Sequence, residues 1–219
     1  MQRTEQENRR ARLTFPLAVL VLALLAAACG GDSSGGGAEE GAVAVPDTFR
    51  VAFETSRGPF VIEAIRAWAP NGADRFHALA RSGFFDEARF FRVVPDFIAQ
   101  FGLNGDRRTN ERWAKRPIPD DSARQSNVRG TIVFTSTGPN TRSHQMFINL
   151  VDNTQLDAQG FAPFGHVVDG MAVVDSLYGG YGEEPSQHLI VRLGNSYLTR
   201  MFPKLDHIRT ARIVGEAAP

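Results

Sequence analysis

The residues able to do chemistry sit in one apolar run, residues 90–102, which reads F-F-R-V-V-P-D-F-I-A-Q-F-G. Phe90, Phe91, Val93, Val94, Phe97, Ile98 and Phe101 make it the most apolar and aromatic stretch outside the N-terminus. Yet it carries one cation, Arg92, and one neutral amide, Gln100. A guanidinium offers five N–H donors in a planar fork, and a carboxamide both donates and accepts. Hydrogen bonding is the chemistry such a pair supplies. The plain structural alternative is a buried strand with Arg92 at its end, reaching to water or to a carboxylate. Extended chain sends neighbouring side chains to opposite faces. Pro95 interrupts the ladder and implies a bend or a sheet edge, so Arg92 and Phe97 need not follow simple parity.

Motifs for other chemistries are missing. There is no Walker loop, no G-x-G-x-x-G, no H-E-x-x-H and no G-x-S-x-G. The five His are scattered, and His77 has no partner at ligand spacing, so it reads as a satisfied or surface helix residue. No metal and no cofactor is expected.

At 219 residues the chain suits one domain with appendages or two small ones, and its 16 Phe can fill a sizeable core. Beyond residue 28 it carries 20 basic and 22 acidic residues, which leaves no polybasic footprint for nucleic acid. The single Cys29 cannot form an intrachain disulfide.

Arg3, Arg9, Arg10 and Arg12 precede an apolar segment, residues 13–28, whose last residues L-L-A-A-A lead into Cys29. This is the layout of a secretory signal, short for a transmembrane span. Small residues meeting a Cys resemble the bacterial lipobox, although Ala26 stands where Leu is usual. Residues 1–28 are therefore expected to be a signal peptide and Cys29 a lipidated N-terminus. Residues 29–46, rich in Gly and Ser, read as a flexible tether, and residues 47–219 as the folded domain.

Within that domain, residues 49–53 and 60–65 read as a hairpin around a Gly-Pro turn. Asn71 is the expected N-cap of a helix over 73–81, with Gly83 beyond its end. Residues 104–127 read as a long polar surface loop. Strands are expected at 130–135 and 145–150, a second helix over 166–177, and closing strands at 189–193 and 207–214. Short strands with two separated helices predict a mainly antiparallel barrel with helical covers.

Three blocks in order carry a resemblance: the run over 90–102, then G-T-I-V-F-T-S-T-G-P-N-T-R-S-H-Q-M-F-I-N-L, then L-D-A-Q-G-F-A-P-F-G-H-V-V-D-G-M-A-V-V-D. Over roughly 49–178 the chain resembles the cyclophilin-type peptidyl-prolyl isomerases, and its tail is similar to bacterial members. The resemblance implies a mainly β fold: a closed eight-stranded antiparallel barrel capped by two helices. It makes Arg92 and Gln100 catalytic, with Arg92 as the guanidinium. Phe97, Ile98, Phe147 and Leu156 would hold the proline ring, with Phe161 at the rim. Gln100 and Gln145 would bond the substrate backbone, and Thr135 and Ser136 would meet the residues before proline. Three positions depart from the family: Phe91 and Phe161 where His is common, and Gln155 where many members have Trp. Ile98 in place of Met is a milder change, and Gln155 speaks against tight cyclosporin binding.

The implied chemistry needs no nucleophile. The bond before proline resists rotation by about 18–20 kcal/mol because the nitrogen lone pair is delocalised. Uncatalysed exchange takes about 10–100 s. Twisting the amide frees that lone pair, so a guanidinium aimed at the nitrogen binds the twisted state better than either planar one. One charge-assisted bond contributes about 1.5–3 kcal/mol, or roughly one to two decades of rate. Holding the ring must supply the rest. The expectation is an exported, lipid-anchored, monomeric isomerase acting on proline-containing polypeptides. A binding module of the same fold without useful catalysis is the alternative, favoured by Phe91, Gln155 and Phe161.

Overall fold

The computed structural model describes residues 44–216. Cys29, the leader and most of the tether lie outside the described residues. β1 (Thr48–Thr55) and β2 (Gly58–Ile65) form the expected hairpin, paired from Thr48 with Ile65 to Thr55 with Gly58. Alternate residues Phe49, Val51, Phe53, Phe60, Ile62 and Ala64 turn inward and are buried. The remaining strands are β3 (Arg92–Val94), β4 (Ile98–Phe101), β5 (Thr131–Phe134), β6 (Met146–Asn149), β7 (Pro163–Asp169) and β8 (Ile208–Glu216).

All eight belong to one antiparallel sheet, in the order β3-β4-β6-β5-β7-β2-β1-β8. Its edge strands β3 and β8 do not pair with each other. The chain just ahead of each is joined instead, through a bridge between Arg89 and His207. There Phe90 N donates to Asp206 O at 3.0 Å, and Ile208 N to Ala88 O at 2.8 Å. The expected closed barrel is thus a curled sheet whose seam is sewn by two short segments. Its interior is filled with rings: Phe53 stacks on Phe60 at 4.8 Å, and Phe90 meets Phe101 at 5.3 Å.

Helix α1 (Pro70–Arg81) covers the core with Ala73, Phe76, His77, Leu79 and Ala80. Its start differs from expectation. Ala69, not Asn71, is the capping position, and no side chain there bonds the first turn. A carboxylate 50 residues on does so: Asp121 Oδ1 accepts from Asn71 N at 3.0 Å, and Oδ2 from Gly72 N at 2.9 Å. Asp121 also pairs with Arg142 at 3.0 Å, both side chains being 3–4% exposed. His77 is buried and meets the Phe49 ring edge-on at 4.9 Å.

Three other expectations need correction. The long polar segment contains helix α2 (Arg107–Ala114), capped by Asp106, whose side chain accepts from Thr109 N at 2.8 Å. Most of the helix expected over 166–177 splits into β7 and a short α3 (Met171–Asp175). The spacing of Val167 and Met171 fits a helix, but β7 is hydrogen-bonded on both sides, to β2 and β5. Gly170 separates the two elements at φ 77°, and a Cβ there would lie 2.5 Å from Pro59 O. The strand expected at 189–193 is helix α4 (Gln187–Leu193), followed by α5 (Asn195–Met201). Ser186 caps α4, and α4 and α5 seat Ile190 and Leu198 in a satellite core with Phe91, Leu103, Phe202 and Leu205.

Candidate active site

Period-two geometry sorts β3–β6 onto two faces. Val93, Ala99, Phe101, Ile132, Phe134, Met146 and Ile148 enter the main core. Arg92, Ile98, Gln100, Val133 and Phe147 turn the other way. In register, Arg92 stands opposite Gln100, Gln100 opposite Phe147, and Phe147 opposite Val133, a single row across four strands. Pro95 brings more than a bend: β3 and β4 reverse through it as a hairpin. Asp96 adopts φ 58° and Phe97 N donates to Val94 O at 3.1 Å. Phe97 thereby reaches the same face as Arg92.

The result is a pocket of about 240 Å³ lined by Arg92, Phe97, Ile98, Gln100, Thr135, Phe147, Leu156, Gln159 and Phe161. Its apolar floor is a cluster distinct from the main core, made of Ile98, Val133, Phe147 and Leu156, with Phe97 and Phe161 packed against it. Phe161 meets Phe147 edge-on at 5.6 Å. The guanidinium stands 5.9 Å from the Phe97 ring centre, and its side chain is 23% exposed.

A chain of hydrogen bonds fixes the polar wall. Arg92 Nη1 donates to Gln100 Oε1 at 3.2 Å, and Gln100 Nε2 to Gln145 Oε1 at 3.0 Å. On its other side Arg92 Nε donates to Glu183 Oε1 at 2.7 Å, and Nη2 bonds the same oxygen. The sequence alternative of a carboxylate pair is therefore realised without removing Arg92 from the pocket.

Behind the apolar wall lies a network of buried amides. Asn153 donates to Phe97 O at 3.0 Å and to Asn149 Oδ1 at 2.8 Å, and Asn149 donates to Thr131 Oγ1 at 2.8 Å. Asn127 donates to Phe161 O at 2.9 Å and to Asp157 Oδ1 at 2.8 Å. These bonds satisfy buried polar groups: Asn153 ties Phe97 to β6, Asn149 joins β6 to β5 and donates to Asn127 Oδ1 at 3.2 Å, and Asn127 holds Asp157 and Phe161. Partial burial works against the Asp157 carboxylate, but hydrogen bonds from Ser126 and Asn127 outweigh it and hold its pKa below the ordinary value.

Of the residues expected here, eight line the pocket: Arg92, Phe97, Ile98, Gln100, Thr135, Phe147, Leu156 and Phe161. Gln145 stands behind Gln100 and accepts its amide, while its own carbonyl accepts from Thr135 N at 3.0 Å. Ser136 falls outside, in an adjoining hollow of about 410 Å³ with Asp120, Asp121 and Pro139, which shares Gln159 and Phe161 with the pocket. Two departures lie away from the pocket. Phe91 is buried in the satellite core, and Gln155 is exposed with its amide 3.4 Å from Asn153 Oδ1.

Sequence reasoning missed Gln159, the three asparagines and Glu183. In sequence Asn127 and Asn153 fall in polar loops and Asn149 in an expected strand, with nothing to mark them as partners, and Glu183 is separated from Arg92 by 91 positions. Among the described residues no group of three or more His, Cys, Asp or Glu is placed to hold a metal, and no helix is long and apolar enough to cross a membrane.

Comparison with known proteins agrees with this geometry. The family model for cyclophilin type peptidyl-prolyl cis-trans isomerases matches residues 50–194. Peptidyl-prolyl cis-trans isomerase B of Escherichia coli is 31% identical over 175 residues, covering 76% of this chain and 99% of that protein. A peptidyl-prolyl cis-trans isomerase of Acinetobacter baylyi is 33% identical over 150 residues, covering 63% and 79%. Among solved structures, a Cryptosporidium parvum cyclophilin type isomerase superposes with a TM-score of 0.59 at 21% identity, covering 78% of this chain and 99% of that one. The same protein was also crystallised in the presence of the dipeptide Ala-Pro. The chain belongs to the cyclophilin-type peptidyl-prolyl cis/trans isomerases.

Proposed function

We propose that this isomerase accelerates X-Pro rotation by hydrogen bonding from Arg92 to the nitrogen of the twisted amide, with the proline ring held by Phe97, Ile98, Phe147, Leu156 and Phe161. The observation that carries this reading is a guanidinium set in the wall of an apolar pocket of about 240 Å³. Planar proline nitrogen accepts no hydrogen bond, and the pyramidal nitrogen of the half-rotated state does. The interaction is therefore strongest where the barrier is highest. Gln100, Gln145 and the backbone near Thr135 and Ser136 bind the peptide on either side of the ring. The dipeptide used with the Cryptosporidium protein is a ligand of the required kind.

The working place follows from the leader. The basic, then apolar, then small-residue run before Cys29 supports export and lipid anchoring, so the substrates are extracytoplasmic polypeptides. Cys29→Ala should move the protein from the membrane fraction to the soluble one, and retention in the membrane would end that part of the proposal.

The test of mechanism is a protease-coupled isomerisation assay on a proline peptide, with the full chain beside Arg92→Ala. Turnover should fall by about ten- to a hundredfold. Unchanged turnover in the variant would remove Arg92 from the mechanism. Peptide binding without any acceleration by the parent chain would instead make it a binding module.

A further inference from the structure

Residues 182–187, with two carboxylates and a proline, have no role in the chemistry described so far. The geometry points to Glu183 as a positioning residue for the isomerisation, one that holds the Arg92 guanidinium from the side away from the pocket. The inference rests on the Arg92 mechanism above.

Donor arithmetic is the first support. A guanidinium has five N–H groups. Glu183 Oε1 takes one from Nε and one from Nη2, and Gln100 Oε1 takes one from Nη1. Among the described residues this leaves one N–H on Nη1 and one on Nη2, the two atoms at the tip of the group. Glu183 itself is not part of the pocket lining, and its side chain is 65% exposed, so it restrains the cation without filling the slot.

The second support is how the two partners are anchored. Phe91, next to Arg92, is buried in the satellite core with Ile190, Leu198 and Phe202. Tyr181, two residues before Glu183, packs against that same core, meeting the Phe202 ring edge-on at 5.1 Å. Two turns follow one another there: Gly182 N donates to Gly179 O at 3.0 Å, and Glu184 N to Tyr181 O at 2.9 Å. Gly179 abuts the β3–β4 turn so closely that a Cβ would lie 3.0 Å from Pro95 Cγ. Cation and carboxylate are thus mounted on one rigid apolar base, unlike the two mobile side chains of an ordinary surface pair. This also accounts for Phe91 and for the α4–α5 pair, which build that base.

The experiment compares steady-state isomerisation by the full chain with Glu183→Ala, Glu183→Gln, Glu184→Ala, Arg92→Ala and the Arg92→Ala/Glu183→Ala double variant. Glu183→Ala should lower kcat by about five- to tenfold, with KM within about twofold. Glu183→Gln keeps an acceptor oxygen and should recover at least half of the loss. Glu184→Ala, which changes the neighbouring exposed carboxylate, should match the parent. In the Arg92→Ala background, removing Glu183 should have no further effect. A parental kcat in Glu183→Ala, or a change confined to KM, beside a slowed Arg92→Ala would overturn the positioning role and leave the Arg92 mechanism standing. A parental rate in Arg92→Ala would overturn both.

Discussion

Arg92 and Gln100 face each other across the β3–β4 ladder, and the guanidinium donates from Nη1 to the Gln100 carbonyl oxygen at 3.2 Å. Gln100 in turn donates to Gln145, so the cation is braced by two amides in series. This bracing matters because an arginine side chain has four flexible torsions, and the two amides limit the orientations its guanidinium takes beside the pocket.

Arg92→Lys keeps the charge but loses the planar fork, and an ammonium cannot hold Gln100, Glu183 and a substrate nitrogen in one plane. We expect kcat/KM to fall by about tenfold or more. Gln100→Ala removes one brace of about 0.5–1.5 kcal/mol and should cost about two- to tenfold. The coupled assay checks both, and a lysine variant as active as the parent would show that charge alone suffices.

Asp121→Ala should destabilise the domain by about 1–3 kcal/mol, because it leaves the buried Arg142 guanidinium with only Asp120, at 3.2 Å, and the Pro119 carbonyl, and leaves two first-turn N–H groups of α1 without their acceptor. Asp121→Asn keeps a carbonyl oxygen and should lose less. Urea denaturation followed by fluorescence gives the comparison. Equal losses for the two variants would mean that charge, and not capping, is what Asp121 supplies.

His144 predicts a pH dependence of stability. Its ring is buried, and Nδ1 faces Gly102 O at 2.7 Å; since a carbonyl only accepts, Nδ1 carries the proton. Burial pushes its pKa below the ordinary imidazole value; the bond to Gly102 opposes this shift, and the nearby Arg75 charge adds to it. With the folded pKa lower than the unfolded one, the unfolded chain binds more protons in the window between them. Stability is therefore full above about pH 6.5 and is lost as pH falls below it. Thermal melts from pH 7.5 to 5.5 should show the midpoint dropping, and His144→Gln should flatten that slope. An equal slope in the variant would assign the effect to other groups.

Much of the site was legible along the chain. The three family blocks named Arg92, Gln100 and Phe147, and the register of β3, β4 and β6 sets them in one row. Where local pattern misled, a long-range contact had overridden it. Apolar spacing of four residues at Val167 and Met171 looked helical, yet two neighbouring strands claimed that backbone. Leu189, Ile190 and Val191 looked like a strand, yet Ser186 caps a helix that buries Ile190 in the satellite core. Asn71 looked like a cap, yet the helix starts at Pro70, and Asp121, about 50 positions on, accepts from the N–H groups of Asn71 and Gly72.

From its amino acids alone, then, this chain determined its class and its first hairpin, because period-two patterning and turn chemistry are local, while the cation and most of the apolar residues around it were named by the resemblance of three sequence blocks to a known family. Tertiary structure alone decided that a carboxylate 91 residues away holds that cation, that buried asparagines tie down the pocket loops, and that Phe91 belongs to a second core. The reason is physical. Hydrogen bonds and ion pairs between distant side chains depend on where folding brings their atoms within about 3 Å, and sequence distance carries no record of that.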